Sequence, residues 1–165
     1  MGTRGFGSVE RRGRVKAEEI IEQLRAIAGG KEPRDMRARQ AAELIRSACG
    51  YRWVGFYDVG EGEIAAMAWT GSESPELPSF PNSIGPHGDV VRTGAIVNVP
   101  DVSRDPRYLT AFGGARSEII VPVRTTPEGL VTGAIDAESE KMAAFGPEDE
   151  ELLQACAEVL IPLWT

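Results

Sequence analysis

Two stretches in the C-terminal third carry acids where apolar residues dominate: Arg116-Ser117-Glu118-Ile119-Ile120-Val121-Pro122-Val123 and Gly129-Leu130-Val131-Thr132-Gly133-Ala134-Ile135-Asp136-Ala137-Glu138-Ser139. Each reads as a mostly buried strand. Side chains alternate along a strand, so Glu118 shares a face with Ile120, and Asp136 shares one with Ala134 and is followed there by Glu138. An unpaired charge among apolar neighbours is costly, and the basic residues in these segments, Arg116 and Arg124, sit at the strand ends. Two readings stand side by side. The carboxylates emerge into solvent or meet a distant arginine, or they wait for a cationic ligand.

Other chemistry-bearing residues are few. His87 is the sole histidine, so no histidine-based zinc cluster is expected, and the carboxylates lack the spacing of a calcium or magnesium loop. The expected metal content is none. His87 lies in Ile84-Gly85-Pro86-His87-Gly88, at the mouth of a short helix, where it either contacts a ligand or faces water. Asp101, just after a strand, is expected to bind backbone NH groups of a turn. The two cysteines, Cys49 and Cys156, fall on helical stretches and read as small core residues. Two cysteines make no disulfide framework, which fits a reducing compartment.

The elements that must position these groups follow from periodicity. Ile20, Ile21, Leu24 and Ile27 mark a helix over about 15–28, stopped by Gly29-Gly30. Ala41, Ala42, Leu44, Ile45 and Ala48 mark a second, capped by Asp35 and ended by Gly50. Residues 51–59 and 63–70 read as a hairpin around Gly60-Glu61-Gly62. Tyr51, Trp53, Gly55 and Tyr57 fall on one face of it, Val54 and Phe56 on the other, and Trp69 closes its second strand. Trp53 and Tyr57, flanking a glycine, read as a pocket wall. Residues 71–86, with four prolines, are expected to hold no regular element, and a loop that long in a compact domain is usually functional or disordered. A short helix over 89–93, a strand over 95–99 and a polar connection over 100–114 follow. Strands 117–124 and 129–137 are joined by a turn at Pro127-Glu128-Gly129. The last helix opens at Gly146-Pro147 with four acids in its first turn.

Composition bounds the rest. The 165 residues suit one domain with its own core. Residues 1–16 hold five basic groups against one acid and are expected to form a disordered basic arm, with a single domain over 17–165. The formal net charge of −7 thus leaves −11 on that body, which opposes binding to nucleic acid phosphates. No apolar run suits a membrane span and no secretory leader is evident, so the expected location is cytoplasmic. The fold class is α+β: a central antiparallel sheet, terminal helices on one face, and the loops at 71–94 and 100–116 building a pocket on the other.

This arrangement, with Tyr51-Arg52-Trp53-Val54-Gly55-Phe56-Tyr57, Val99-Pro100-Asp101-Val102, Ser117-Glu118-Ile119-Ile120-Val121-Pro122, Asp136-Ala137-Glu138-Ser139 and Phe145-Gly146-Pro147-Glu148-Asp149, resembles a GAF domain over about residues 17–163. Within that superfamily it looks most like the free methionine-R-sulfoxide reductases. The resemblance implies a pocket in which aromatic groups hold a thioether and carboxylates hold an amino group, roles that fall here on Trp53, Tyr57, Glu118, Asp136 and Glu138. It also implies chemistry by loop thiols: a thiolate attacks the sulfoxide sulfur and a second cysteine resolves the sulfenic acid. By the same resemblance His87 and Ala111 stand where the family has those cysteines. The expectation is therefore a non-catalytic sensor or regulatory module without cofactor. Its ligand, an amino acid or amine, is bound by Trp53, Tyr57, Trp69, His87, Glu118, Asp136 and Glu138. The alternatives are an enzyme, either a surviving reductase using Cys49 or Cys156 or a different reaction using His87 as a general base, and a scaffold that dimerises through its terminal helices with Leu163 and Trp164 at the contact.

Overall fold

The computed structural model describes residues 6–109 and 113–165, with side chains described from residue 12 onward. Two helices, α1 (Phe6–Ala28) and α2 (Arg34–Cys49), lead into the hairpin β1 (Trp53–Val59) and β2 (Glu63–Thr70). Then come β3 (Ser79–Pro81), α3 (Gly85–Thr93), β4 (Val97–Val99), a 3-10 turn over Val102–Arg104, β5 (Ser117–Arg124), β6 (Val131–Ser139), α4 (Pro147–Val159) and a 3-10 turn over Ile161–Leu163. The six strands form one antiparallel sheet in the order β3-β2-β1-β6-β5-β4.

The sheet separates two unlike cores. On one face α1, α2 and α4 bury Leu24, Ala38, Ile45, Leu153 and Leu160 against Val54, Phe56, Ile119, Val121 and Ile135. Cys156 is buried there and Cys49 packs at its edge. On the other face Trp53, Tyr57, Ile64, Phe80, Val90, Ile120 and Ala134 cluster under α3 and its flanking loops. The α+β layering expected from the sequence is thus the observed one, with the helices and the loops on opposite faces. Among the described residues no helix is long and apolar enough to cross a membrane.

Several details differ from the sequence reading. Helix α1 begins at Phe6, so much of the stretch assigned to a disordered arm is helical. Arginine and lysine are good helix formers, and the two glycines of the helix, Gly7 and Gly13, each cost only about 1 kcal/mol relative to alanine. Residues 1–5 of that arm lie outside the described residues. The proline-rich segment 71–86 holds a strand after all. Strand β3 pairs only with β2, as an edge strand must if it is to accept Pro81, and it drives Phe80 into the second core. Helix α3 starts four residues earlier than expected, with Pro86 in its first turn presetting the helical φ. Tyr51 precedes β1 and turns away from Trp53. Its ring meets Phe145 on the helical face, and its hydroxyl donates to Asp149 at 2.5 Å. Leu163 is buried, and the partly buried Trp164 packs on Phe56 and donates its indole NH to the Tyr57 carbonyl.

Candidate functional site

Strand register assembles the site. Glu118 on β5 lies opposite Glu138 on β6, and Glu138 lies opposite Trp53 on β1. One step along, Ile120 faces Asp136, which faces Gly55. Glu118, Asp136 and Glu138 therefore project on the loop-covered face within two rows of three central strands. All three are buried, at 1%, 0% and 0% exposure. Gly55 makes this arrangement possible. A Cβ there would sit 2.1 Å from the Trp53 ring, so the indole lies across the glycine and walls the site where a side chain would otherwise stand. The indole NH of Trp53 donates to the Glu73 carbonyl at 3.1 Å, tying the proline-rich loop over the ring.

Helix α3 closes the site from above. It packs on β4, β5 and β6 and lowers His87 into the second core, against Tyr57 with ring centroids 4.9 Å apart and Phe80 at 5.2 Å. His87 is only 4% exposed, so the solvent-facing reading of this residue is overturned. A tightly turned start lets the helix come this close: Gly85 has φ +72°, a conformation that favours glycine, and abuts Leu109 of the neighbouring loop. The His87 Nε2 lies 3.4 Å from Asp136 Oδ2.

The electrostatics are lopsided. Among the described residues no lysine or arginine pairs with Glu118 or Asp136, and neither their oxygens nor either His87 ring nitrogen has a hydrogen-bond partner within the protein. Burial, followed by the charges of Asp136 and Glu138, holds the Glu118 carboxyl well above the ordinary glutamate range. Tyr57 is pushed up in the same way, by burial first and then by the three acids. Glu138 Oε2 accepts a hydrogen bond from the Tyr108 hydroxyl at 3.1 Å. That phenol is raised as well, by burial and by Glu138. Tyr108 was missing from the residues picked out by sequence. It sits in an irregular loop whose arginine, Arg107, joins Asp105 at 2.6 Å and reaches Asp89 on α3, so the loop carrying the tyrosine is fastened to the helix carrying the histidine.

Of the residues singled out from the sequence, Trp53, Tyr57, His87, Glu118, Asp136 and Glu138 converge on this one site. Trp69 joins the same cluster at its partly buried margin, on the face of Trp53 and Tyr57. Asp101 lies elsewhere and accepts from the Ser103 backbone NH, as expected of a turn residue. Ala111 falls outside the described residues. Both cysteines lie across the sheet. Burial pushes the Cys156 thiol up to about 12 and raises that of Cys49, so neither is a ready thiolate.

One grouping was not visible along the chain. His87, Glu118 and Asp136 each offer one ligand atom within 4.8 Å of the others, although they come from α3, β5 and β6. A single histidine had counted against a histidine-based zinc cluster. A mixed nitrogen and oxygen set needs only one.

Comparison with known proteins places this geometry in context. The family pattern described as GAF domain matches residues 33–160. The structure of free methionine-R-sulfoxide reductase from Neisseria meningitidis in complex with its substrate superposes with a TM-score of 0.79 and 27% identity, covering 90% of this chain and 87% of that one. The type II free methionine-R-sulfoxide reductase from Thermoplasma acidophilum gives a TM-score of 0.73 at 33% identity, covering 85% and 94%. The free methionine-R-sulfoxide reductase of Saccharomyces cerevisiae is 26% identical over 158 residues, 88% of this chain and 86% of the relative.

Proposed function

The chain belongs to the GAF domain family, and on that basis we propose that it is a small-molecule-binding module of the sensor type, whose pocket takes a ligand bearing a positively charged amino group, an amino acid or an amine. One observation carries the reading: three buried carboxylates lie on the same sheet face as Trp53 and Tyr57, with the His87 Nε2 3.4 Å from Asp136. An ammonium supplies three donors and a charge to a site rich in acceptors, and the aromatic faces favour the cation and any apolar tail.

A reductase is the second reading, favoured by the relatives named above. Its chemistry needs a thiolate beside the bound sulfoxide. Cys156 lies inside the helical core and Cys49 at its margin, across the sheet from the acids. The expected outcome is no thiol-dependent reduction of free methionine sulfoxide, and turnover abolished by Cys49→Ser or Cys156→Ser would establish the reductase instead.

The binding reading is tested by thermal shift on chelator-treated protein with amino acids, polyamines, nucleotides and aromatic acids, using Glu118→Gln and Asp136→Asn as controls. A ligand at about a hundred times its dissociation constant adds roughly 2.7 kcal/mol, which moves the melting point by several degrees. Amines should give that shift in the parent and lose it in both variants. An anionic hit that binds the variants equally well would overturn the proposal.

A further inference from the structure

We propose that His87, Glu118 and Asp136 form a binding site for one divalent transition metal ion. This goes beyond the ligand reading above: it shares the carboxylates of Glu118 and Asp136 with that reading and adds the imidazole of His87. The donors are an imidazole nitrogen and two carboxylates, all at least nine-tenths buried and all without a hydrogen-bond partner in the protein. Two tetrahedral ligands bound at about 2.0–2.1 Å are separated by roughly 3.3 Å. The His87 Nε2 to Asp136 Oδ2 separation is 3.4 Å, so this pair already has the spacing that a shared ion requires. The third donor, a Glu118 oxygen, lies within 4.8 Å of both.

Charge points the same way. Two carboxylates and a neutral imidazole around a divalent ion sum to zero, which removes the uncompensated charge that burial otherwise penalises. A nitrogen with two hard oxygens suits zinc, manganese or ferrous iron better than calcium or magnesium, which take oxygen sets in larger number. Glu138 lies outside this set, and one of its oxygens accepts from Tyr108. Three protein ligands leave a coordination position open, as in zinc sites that exchange a bound molecule. Edge-on contacts with the Tyr57 and Phe80 rings, at interplanar angles of 64° and 73°, hold the imidazole plane of His87.

The test uses tag-free, chelator-treated protein titrated with zinc against a competing indicator, and with cobalt(II) followed by visible absorption. One equivalent should bind, with the cobalt d–d bands of a four- or five-coordinate site and no thiolate charge-transfer band. His87→Gln and Asp136→Asn should each weaken zinc by more than about a hundredfold, beyond the 10–100-fold that outer-sphere changes typically cost, while Cys49→Ser leaves it unchanged. Circular dichroism confirms that each variant folds, and an amine titration of the same metal-free samples reads the ligand proposal separately. Failure of the parent to bind zinc at micromolar concentration would overturn the metal site, as would binding that survives both site variants or depends on Cys49. Amine binding by metal-free His87→Gln would leave the ligand reading intact in that case.

Discussion

The two faces of the sheet solve opposite problems with the same strands. Across β1, the residues Val54 and Phe56 meet three helices and a continuous apolar core, while their neighbours Trp53, Gly55 and Tyr57 meet a histidine and three acids. Strand alternation alone assigns these roles. The helical face gains stability by excluding water from aliphatic groups. The loop face spends some of it, because Glu118 is buried beside two further acids. Stability and binding capacity are therefore carried by opposite sides of a layer one residue thick.

The sharpest way to break this division is a truncation on each side. Leu153→Ala empties a fully buried site on the helical face and should cost about 2–5 kcal/mol, with the ligand affinity of the surviving folded protein unchanged. Glu118→Gln should act in the reverse direction. Its carboxyl is raised in the folded state, so the folded protein holds a proton that the unfolded chain has released, and stability falls as pH rises from the ordinary glutamate value toward the folded one. The variant should lose that slope and melt higher than the parent above this window while binding no amine. Melting curves across pH check both. A Leu153→Ala protein that loses affinity while folded, or a Glu118→Gln protein less stable than the parent at neutral pH, would show that the faces are not independent.

Smaller changes sharpen the comparison. Gly55→Ala places a methyl group into the Trp53 ring, and displacing the indole should cost about 1–3 kcal/mol in stability. It should also remove the wall of the pocket, read as lost ligand shift. Tyr108→Phe deletes the donor to Glu138 and should cost about 1 kcal/mol, with weaker amine binding in a titration. Least of all, replacing the exposed Arg12 and Arg14 of α1 by Ala should change stability by under about 0.5 kcal/mol each in denaturant unfolding.

Much of this division was legible from the chain. The two hairpins, α2, α4 and the face assignments of Trp53, Tyr57, Glu118 and Asp136 follow from periods of 2 and 3.6, because burial on one side imposes them. The residues that escaped are those placed by tertiary contact. Strand β3 is three residues long and flanked by prolines, so no local pattern announces it, and only its pairing with β2 makes it a strand. His87 looked like a loop residue because its burial depends on how deeply α3 settles, which Gly85 and Leu109 decide. Tyr108 lies in irregular chain, where spacing carries no information. The metal-binding trio draws on three separate elements, and the sequence interval between such residues says nothing of their distance.

The central claim is that the loop face is an acidic pocket completed by a bound cation. Calorimetry of amine binding in buffers of different ionisation enthalpy tests it most directly, because an ammonium drawn to Glu118 must drive off the proton that burial retains there. The account predicts that binding releases protons at pH values above the ordinary glutamate range and that Glu118→Gln abolishes the release. Binding with no proton release at any such pH, or with proton uptake, would contradict it.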